Sequence, residues 1–349
     1  MHDRTTEHGD FQTIVNAFTQ GLRELPTDYA ARVKNFLAEY LGNLEHPVPF
    51  GGRTKDFERL DDWLTDTQAP PNLLLAAPAG RGKSALLVHW CRRLLARRDL
   101  AVVYFPVSIR FRTNLAGVTF PSLVALLAKL HGEQVPADPN THEEVWRGLF
   151  LEYITRPLAD GRPLVLVLDG VDEAADWVAD IDLFPLKPPP GLRIVLSARY
   201  LANDQDANAW LKRLGWLRQG LARTLELYPL DRTGIASVLV QMGFPLDLLS
   251  TRVNIVSELY RLSGGDPLLV RLYVDDLWER GEAAMRFQPE DLRAIRPGLA
   301  GYFERWWKDQ RLLWSKEAPQ CEAAAQIVLN LLAGALGPLS KQDILNLLP

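Results

Sequence analysis

The sequence predicts an α/β protein in which a five-stranded parallel sheet, flanked by helices, precedes a helical domain. A short apolar strand, a turn that contains glycines and an apolar helix follow one another over residues 72–88. A second run, residues 164–168, is apolar throughout, as expected of a parallel strand that is buried on both faces. The strand candidates alternate with helices and stop at Asp231, so the sheet and the helical domain are predicted to be consecutive.

The composition limits the class of protein. A chain of 349 residues, 47% of them apolar, is long enough for two or three domains with large cores. Its formal net charge of -4 gives no general signature of nucleic-acid or membrane binding. The two cysteines, Cys91 and Cys321, are far apart, which argues against disulfides or a zinc site. Because no signal peptide and no membrane-spanning run is recognisable, we expect a cytoplasmic protein.

Two amphipathic helices are predicted before residue 46. Apolar residues recur at helical spacing over residues 11–25 and again over residues 29–41. Two interpretations remain open, since the pair contains no catalytic constellation. The helices pack on the next domain, or they form a small adaptor segment that binds a partner protein.

The strand candidates are short apolar runs, and they cover residues 73–77, 101–105, 164–168, 193–199 and 224–230. Helical patterns flank them at residues 57–64, directly after residue 84, and at residues 121–130. After Asp231 further helices are predicted at residues 235–242, 254–262, 268–280, 321–336 and 340–348, the last two joined by Gly337-Pro338-Leu339. An aromatic stripe, Tyr302, Phe303, Trp306 and Trp307, is interpreted as core.

The turn after the first strand reads Pro78-Ala79-Gly80-Arg81-Gly82-Lys83-Ser84, which predicts a phosphate-binding loop. Its glycines let backbone N–H groups face phosphate oxygens, and the following helix adds partial positive charge. Lys83 is expected to reach the β- and γ-phosphates, and the Ser84 hydroxyl to bind Mg²⁺. The usual pattern begins with glycine, whereas this chain has Ala77, which leaves open whether hydrolysis is retained.

Three acidic residues follow the buried run: Asp169, Asp172 and Glu173. Acidic groups at the carboxyl end of such a strand suit a metal and a water beside a nucleotide. Asp169 is expected to hold Mg²⁺, and Asp172 to orient and deprotonate the attacking water, with Glu173 as the reserve candidate. The alternative is a capping cluster for the next helix, which accounts for one acid only.

The fourth strand candidate delivers Arg199 to the same edge of the sheet. An arginine there can sense the γ-phosphate or offset charge in the transition state. A surface salt bridge is the competing interpretation.

With these motifs, residues 49–349 resemble a STAND-class P-loop NTPase, close to the NACHT and NB-ARC signal-transduction ATPases. Phe50-Gly51-Gly52-Arg53 is similar to the family's F-x-G-R lead-in, and residues 77–84 to its Walker A loop. Residues 164–173 resemble the NACHT form of Walker B, and residues 196–199 the strand of the sensor arginine. Gly265-Asp266-Pro267 resembles the G-x-P element, and the last helices resemble the start of a winged-helix domain.

The resemblance implies a switch that binds ATP or ADP with Mg²⁺. Gly52, Arg53 and Pro267 would contact the nucleotide, the proline from the helical side. ADP would lock the domains together, ATP would drive self-association, and slow hydrolysis would reset the switch, in bacterial defence or signal transduction. The implied domains are residues 1–46, 47–230, 231–318 and 319–349, the last an incomplete winged helix. We therefore expect a fragment that lacks a sensor domain. Its N-terminal helices are too short to be an effector enzyme themselves and could only recruit one.

Two other functions remain as alternatives. An AAA+-like DNA-binding ATPase also joins such a core to a winged helix, although the low net charge weighs against a nucleic-acid partner. A non-catalytic scaffold that stores nucleotide is the other.

Overall fold

The structure, a computed structural model, describes residues 5–25, 27–42, 47–135, 142–185, 187–217, 220–314, 318–334 and 341–347. Its strands are β1 (Asn72–Ala76), β2 (Ala101–Pro106), β3 (Leu164–Asp169), β4 (Leu192–Ala198) and β5 (Ala222–Glu226). They form one parallel sheet in the order β2-β3-β4-β1-β5. The predicted five-stranded parallel sheet is confirmed.

Strand β4 lies between β1 and β3. Leu196 of β4 is level with Leu74 on one side and with Leu168 on the other. Residues that follow β4 therefore lie beside both the loop after β1 and the acids after β3. The sequence predicted the strands but not this order, which decides which motifs meet.

Strand β5 ends at Glu226, level with Ala76 at the end of β1, and is shorter than predicted. Beyond it, Pro229 has no amide hydrogen to donate to a ladder. Leu230 donates its N–H to the carbonyl oxygen of Gly265, at 2.7 Å, in the helical domain. The chain thus leaves the sheet at this point.

The helices before and around the sheet are α1 (Thr5–Thr19), α2 (Tyr29–Leu41), α3 (Thr54–Thr65), α4 (Lys83–Leu95), α5 (Ala116–His131), α6 (Glu143–Thr155) and α7 (Asn208–Arg213). Helix α5 begins before the predicted start and contains Pro121. The proline leaves the carbonyl oxygen of Gly117 without its helical donor, and the Tyr29 hydroxyl lies 3.4 Å from that oxygen. Helix α6 was not predicted.

Helices α1 and α2 pack into the same core as the sheet. Phe18 of α1 and Phe36 of α2 are buried, and the Phe18 ring lies 5.4 Å from the ring of Tyr104 in β2. The Phe36 ring lies 5.4 Å from that of Phe111. Helices α1 and α2 therefore share one apolar core with the sheet, although they precede the sheet in sequence.

The helices after the sheet are α8 (Arg232–Met242), α9 (Val253–Ser263), α10 (Pro267–Glu279), α11 (Pro289–Arg293), α12 (Gly298–Trp314), α13 (Ala318–Gly334) and α14 (Lys341–Leu347). Helices α8 to α12 enclose a second core, which includes Ile235, Leu259 and Val274. We call this body the lid.

The interpretation of the aromatic stripe in α12 as core is wrong for two of its members. Tyr302 is buried and its ring packs edge-on against Tyr273, 5.2 Å away. Phe303 and Trp306 are 52% and 39% exposed. Neighbouring residues of a helix point in different directions, and only one side of α12 packs against the other helices of the lid.

Helices α13 and α14 are the predicted last pair, and the connecting turn at residues 337–339 lies outside the described residues. The incomplete winged helix therefore stays a prediction. Among the described helices, none combines the length and apolar character needed to cross a membrane.

Candidate functional site

The loop between β1 and α4 has the geometry of a phosphate cradle. Gly80 and Gly82 adopt φ angles of +79° and +84°, a region that a side chain disfavours. Helix α4 begins at Lys83 directly after Gly82, so its first N–H groups face the loop. Ala77, where the usual pattern has glycine, is not among the described residues of positive φ, and its methyl group is buried. The alanine is thus accommodated without backbone strain.

Lys83 lies over this loop. Its Nζ donates to the carbonyl oxygens of Ala77 and Pro78, at 2.7 and 3.0 Å. Burial lowers the pKa of Lys83 to about 8, although the charges of Asp172 and Asp169 oppose that shift. A cation held at the inner side of the loop is placed to meet phosphate oxygens.

Asp169, the last residue of β3, is 1% exposed. Its Oδ1 accepts from the Ser197 hydroxyl, and its Oδ2 accepts from the Tyr104 hydroxyl at 2.9 Å. Burial raises the pKa of Asp169, while hydrogen bonds from Ser197, Tyr104 and Ser84 oppose the rise. The carboxylate is therefore fixed beside the Ser84 hydroxyl.

The other two acids contact the predicted sensor arginine. Arg199 donates from its backbone N–H and from Nε to the two oxygens of Asp172, at 2.8 and 2.5 Å. Its Nη2 lies 3.2 Å from Oε1 of Glu173, and Oε2 of Glu173 accepts from the N–H of Ile109 at 2.8 Å. Burial lowers the pKa of Arg199, but the hydrogen bond and charge of Asp172 and the charge of Glu173 raise it above its ordinary value.

Arg53, in the segment before α3, contacts both the phosphate loop and the chain after β5. Arg53 is 6% exposed, and its guanidinium donates to the carbonyl oxygens of Arg81 and Tyr228, at 2.8 and 2.9 Å. It also pairs with Asp56 at 3.1 Å. Arg53 therefore fixes the phosphate loop relative to the exit from β5.

Gly51 and Gly52 approach α8 of the lid with backbone against backbone. A Cβ atom on Gly51 would lie 2.7 Å from the backbone nitrogen of Val238, and one on Gly52 would lie 2.4 Å from Cα of Gly234. The Gly52 N–H also donates to the Ser237 hydroxyl at 3.2 Å. Only glycine permits this approach.

The G-x-P segment lies directly over the phosphate loop. Asp266 caps α10 by accepting from the N–H of Leu268 at 3.0 Å, and Pro267 is the first residue of that helix. A Cβ atom on Gly82 would lie 3.8 Å from Cβ of Pro267, and one on Gly80 would lie 3.2 Å from Cβ of Leu268. A side chain at either glycine would therefore meet the lid, which lies close over the loop.

These elements enclose a cavity of about 290 Å³. The predicted site residues that line it are Arg53, Ala79, Gly80, Gly82, Lys83, Ser84, Asp172, Glu173, Arg199 and Pro267. Three predicted residues do not line it. Asp169 is buried beneath, Gly52 contacts the lid, and the Arg81 side chain lies 3.7 Å from the Asp266 carboxylate.

The cavity also contains residues that the sequence did not single out. They are Tyr40, Val48, Ser197, Leu230, Val238, Leu268, Val270 and Arg271. Ser197 precedes Arg199 on the predicted strand, so its proximity to Asp169 could have been anticipated once β3 and β4 were paired. Tyr40 and Arg271 come from distant helices, and no motif marks them.

The sequence of residues 49–190 matches the AAA ATPase domain family. The chain thus contains an AAA-type ATPase domain. The match includes the phosphate loop and the three acids, and it supports nucleotide hydrolysis by this domain. A search of curated protein sequences found no match to the chain.

Solved structures similar to the chain include P-loop ATPases. Cdc6p from Pyrobaculum aerophilum is 16% identical over 67% of this chain and 62% of its own, with a TM-score of 0.43. A Walker-type ATPase of Pyrococcus abyssi is 14% identical over 84% of this chain and 87% of its own, with a TM-score of 0.45. A STAND protein with a tetratricopeptide repeat sensor from Pyrococcus horikoshii is 15% identical over 64% of this chain and 29% of its own, with a TM-score of 0.34. At these values the likenesses carry no argument about function.

Proposed function

We propose that this chain is an ATP-binding molecular switch of the STAND type, close to the NACHT and NB-ARC ATPases. ADP holds the lid on the ATPase core, and ATP drives self-association. Slow hydrolysis resets the switch, in bacterial defence or signal transduction. The observation that supports the proposal is that Pro267 and Leu268 of the lid line the same cavity as Gly80 and Gly82 of the phosphate loop, because a nucleotide bound there would touch both bodies.

The residues of the cavity fit a nucleotide with Mg²⁺. Its apolar part, Val48, Leu230, Val238 and Pro267, suits a base, and the loop that ends in Lys83 and Ser84 suits phosphates. The described residues contain no cluster of three or more acidic, histidine or cysteine side chains that could bind a metal. This agrees with Mg²⁺, which proteins hold through one or two side chains together with substrate phosphates and water.

Ser84 and Asp169 are the residues that would hold the ion. Asp169, whose two oxygens each accept a hydrogen bond from a protein hydroxyl, would hold the ion directly or through water, and Ser84 would bind it through its hydroxyl. Mg²⁺ bound there would neutralise charge on the phosphate oxygens.

The geometry favours Glu173 over Asp172 as the group that orients the attacking water. Both oxygens of Asp172 accept from Arg199, and its side chain is 3% exposed. Both acids line the cavity, and the oxygens of Glu173 also have partners, Arg199 and the N–H of Ile109, but its side chain is 26% exposed and so more open to a water. We assign Asp172 to the positioning of Arg199, and Arg199 to the γ-phosphate.

A nucleotide between the core and the lid can shift their equilibrium only through its different affinities for the closed and open arrangements. Polar contacts between the lid and the rest of the chain include the Gly52–Ser237 hydrogen bond and the Arg81–Asp266 and Arg271–Glu39 pairs, at 3.7 and 3.6 Å. We propose that a nucleotide between the two bodies adds to these contacts in the closed arrangement.

The experiment identifies the nucleotide that co-purifies with the protein and measures how nucleotides change the native mass of the protein. The protein is denatured and the supernatant chromatographed, and the native mass is measured by size exclusion with light scattering in ADP and in a slowly hydrolysed ATP analogue. We expect co-purified ADP, a monomer in ADP and a larger species in the analogue, with Lys83→Ala as the control that binds neither. An unchanged mass would refute the switch. Hydrolysis stimulated by DNA with a steep salt dependence would favour the DNA-binding alternative instead.

A further inference from the structure

The segment between β2 and α5, residues 107–115, holds Glu173 at two points, and we call it the β2 loop. The N–H of Ile109 donates to Oε2 of the Glu173 side chain at 2.8 Å. Nδ2 of Asn114 donates to the carbonyl oxygen of Glu173 at 3.1 Å. The direction of the Glu173 carboxylate therefore depends on where the β2 loop lies.

The base of the β2 loop is fixed in the core, and its tip, residues 109–112, is exposed. Thr113 is buried, and its Oγ1 donates to the carbonyl oxygen of Pro106 at 2.6 Å and accepts from the N–H of Ser108 at 3.0 Å. In the tip, Ile109 is 40% exposed and the side chain of Arg110 is 70% exposed. Exposed loops are more mobile than the elements they connect, so the position of this tip depends on what holds it from outside.

Helix α2 holds the tip through two polar contacts. Nη1 of Arg32 donates to the carbonyl oxygen of Arg112 at 2.7 Å. Nη1 of Arg110 donates to Oε1 of Glu39 at 3.0 Å. Each of these contacts involves a charged group, which strengthens a hydrogen bond, although exposure weakens an ion pair.

An aromatic contact lies between the two polar ones. The ring of Phe36, which is buried, packs edge-on against the ring of Phe111 at 5.4 Å. Positions 32, 36 and 39 follow one another at spacings of four and three, so they share one face of the helix. One face of α2 thus contacts three successive residues of the tip, directly after the residue that donates to Glu173.

We propose that helix α2 sets the orientation of Glu173 through the β2 loop, so that the N-terminal helices control the rate of hydrolysis. Arg32 and Glu39 are positioning residues, since neither lines the cavity. This inference rests on the proposed function, in that it takes Glu173 as the group that orients the attacking water. A misplacement of about 1 Å at a reacting group can slow a reaction about a hundredfold, which makes the loop that holds Glu173 a point of control.

The test removes both polar contacts between α2 and the tip, because each alone is weak. The variant is Arg32→Gln/Arg110→Gln, and neither arginine lines the cavity. Glu39 is kept because it also pairs with Arg271 of the lid, at 3.6 Å. We expect single-turnover hydrolysis of ATP to fall about tenfold or more, while the affinity for a slowly hydrolysed ATP analogue, measured by calorimetry, stays unchanged.

The matched control is Arg23→Gln/Arg97→Gln, which also removes two arginines. Their guanidinium groups donate to Asn16 and Asp99, and they contact neither the β2 loop nor the cavity. Hydrolysis in this control is expected to equal that of the parent chain.

A second background separates positioning from a general structural effect. Arg32→Gln/Arg110→Gln is combined with Glu173→Gln, and single-turnover hydrolysis is measured again. If α2 acts through the Glu173 carboxylate, the two arginine changes cause no further loss once that carboxylate is gone.

Each other outcome overturns the inference in a distinguishable way. An unchanged rate in Arg32→Gln/Arg110→Gln, with Glu173→Gln still slow, would refute control by α2 and leave the proposed role of Glu173 standing. An equal loss in both backgrounds would mean that α2 acts by a route other than Glu173, and a matching loss of analogue affinity would mean that it acts on binding. Hydrolysis in Glu173→Gln as fast as in the parent would remove the role of Glu173 and the inference together.

Discussion

Arg199 holds Asp172 by two hydrogen bonds, one from its backbone N–H at 2.8 Å and one from Nε at 2.5 Å. The two residues follow different strands, β4 and β3, which are neighbours in the sheet. A guanidinium has five N–H donors, so the bond from Nε to Asp172 leaves other donors for the γ-phosphate that we propose as the ligand of Arg199. Under that proposal, Asp172 positions the arginine at the edge of the cavity.

The roles of the two acids can be separated by comparing Glu173→Gln with Asp172→Asn. We expect Glu173→Gln to bind ATP normally and to lose hydrolysis about a hundredfold or more, because the water loses its carboxylate. The glutamine oxygen can still accept from the N–H of Ile109, as Glu173 does. Asp172→Asn should lower the free energy of unfolding by about 1 kcal/mol, since the Arg199 side chain is 41% exposed and the pair is partly screened. Its hydrolysis should fall less. ATP affinity, single-turnover hydrolysis and urea unfolding measure the three effects. If Asp172→Asn alone stops hydrolysis, Asp172 is the base.

The contact of the G-x-P segment with Leu230, at the junction between the sheet and the lid, can be tested by one methyl group. In Gly265→Ala the new Cβ would lie 2.0 Å from the carbonyl oxygen of Leu230, at a φ of +75°. Gly264→Ala has a similar φ, +58°, with no atom within 4 Å, so it carries only the backbone strain of about 1–2 kcal/mol. We expect Gly265→Ala to lower the melting temperature further and to release ADP faster in stopped flow. Equal behaviour of the two variants would show that this contact does not close the site.

The binding of ADP should depend on the protonation of Lys83. Burial holds the pKa of Lys83 at about 8, and phosphate oxygens favour the ammonium form, so binding must take up a proton above that pH. ADP affinity is expected to fall about tenfold for each pH unit above 8. Calorimetry in buffers of different ionisation enthalpy measures the proton uptake directly. Lys83→Ala should bind ADP weakly, with an affinity that does not change with pH. If the ADP affinity of that variant still falls steeply above pH 8, the proton is taken up by another group.

Acid should destabilise the fold through His89. Burial lowers the pKa of His89 to about 4 from 6.5, so between these values the unfolded chain binds a proton that the folded chain does not. The free energy of unfolding therefore falls as the pH drops through this window. In His89→Asn the stacking on Phe50, at 3.9 Å, is lost as well. We expect this variant to be less stable than the parent at pH 7. The difference in free energy of unfolding between the two proteins, measured by urea unfolding, should become smaller towards pH 5. A difference that stays constant with pH would contradict the lowered pKa of His89.

The sequence predicted the parts of the site that local chemistry dictates. A turn with Gly80 and Gly82 before Lys83 commonly binds phosphate. Acidic residues after a fully apolar strand commonly lie beside a metal ion or a water. What local patterns could not predict was the strand order, and with it the contact between Asp172 and Arg199. That contact joins residues 27 apart in sequence and depends on β4 lying beside β3.

For a similar reason, the sequence could not predict that Tyr40 of α2 lines the cavity. In the sequence, Tyr40 belongs to an amphipathic pattern and follows apolar residues, so the pattern predicts a core residue. Its proximity to Ser84 arises only when α2 packs on β2 and α4. Helix α6, in contrast, could have been found, since Val145, Leu149 and Tyr153 recur at helical spacing.

The contact of Gly51 and Gly52 with helix α8 limits how the lid can move. Side chains at a moving junction can change rotamer and follow a gap as it widens, but two bare backbones cannot. The first ångström of separation would part the Gly51 and Gly52 backbone from that of Val238 and Gly234. Opening at this junction is therefore expected to be abrupt and not graded, so that intermediate positions of the lid are sparsely populated.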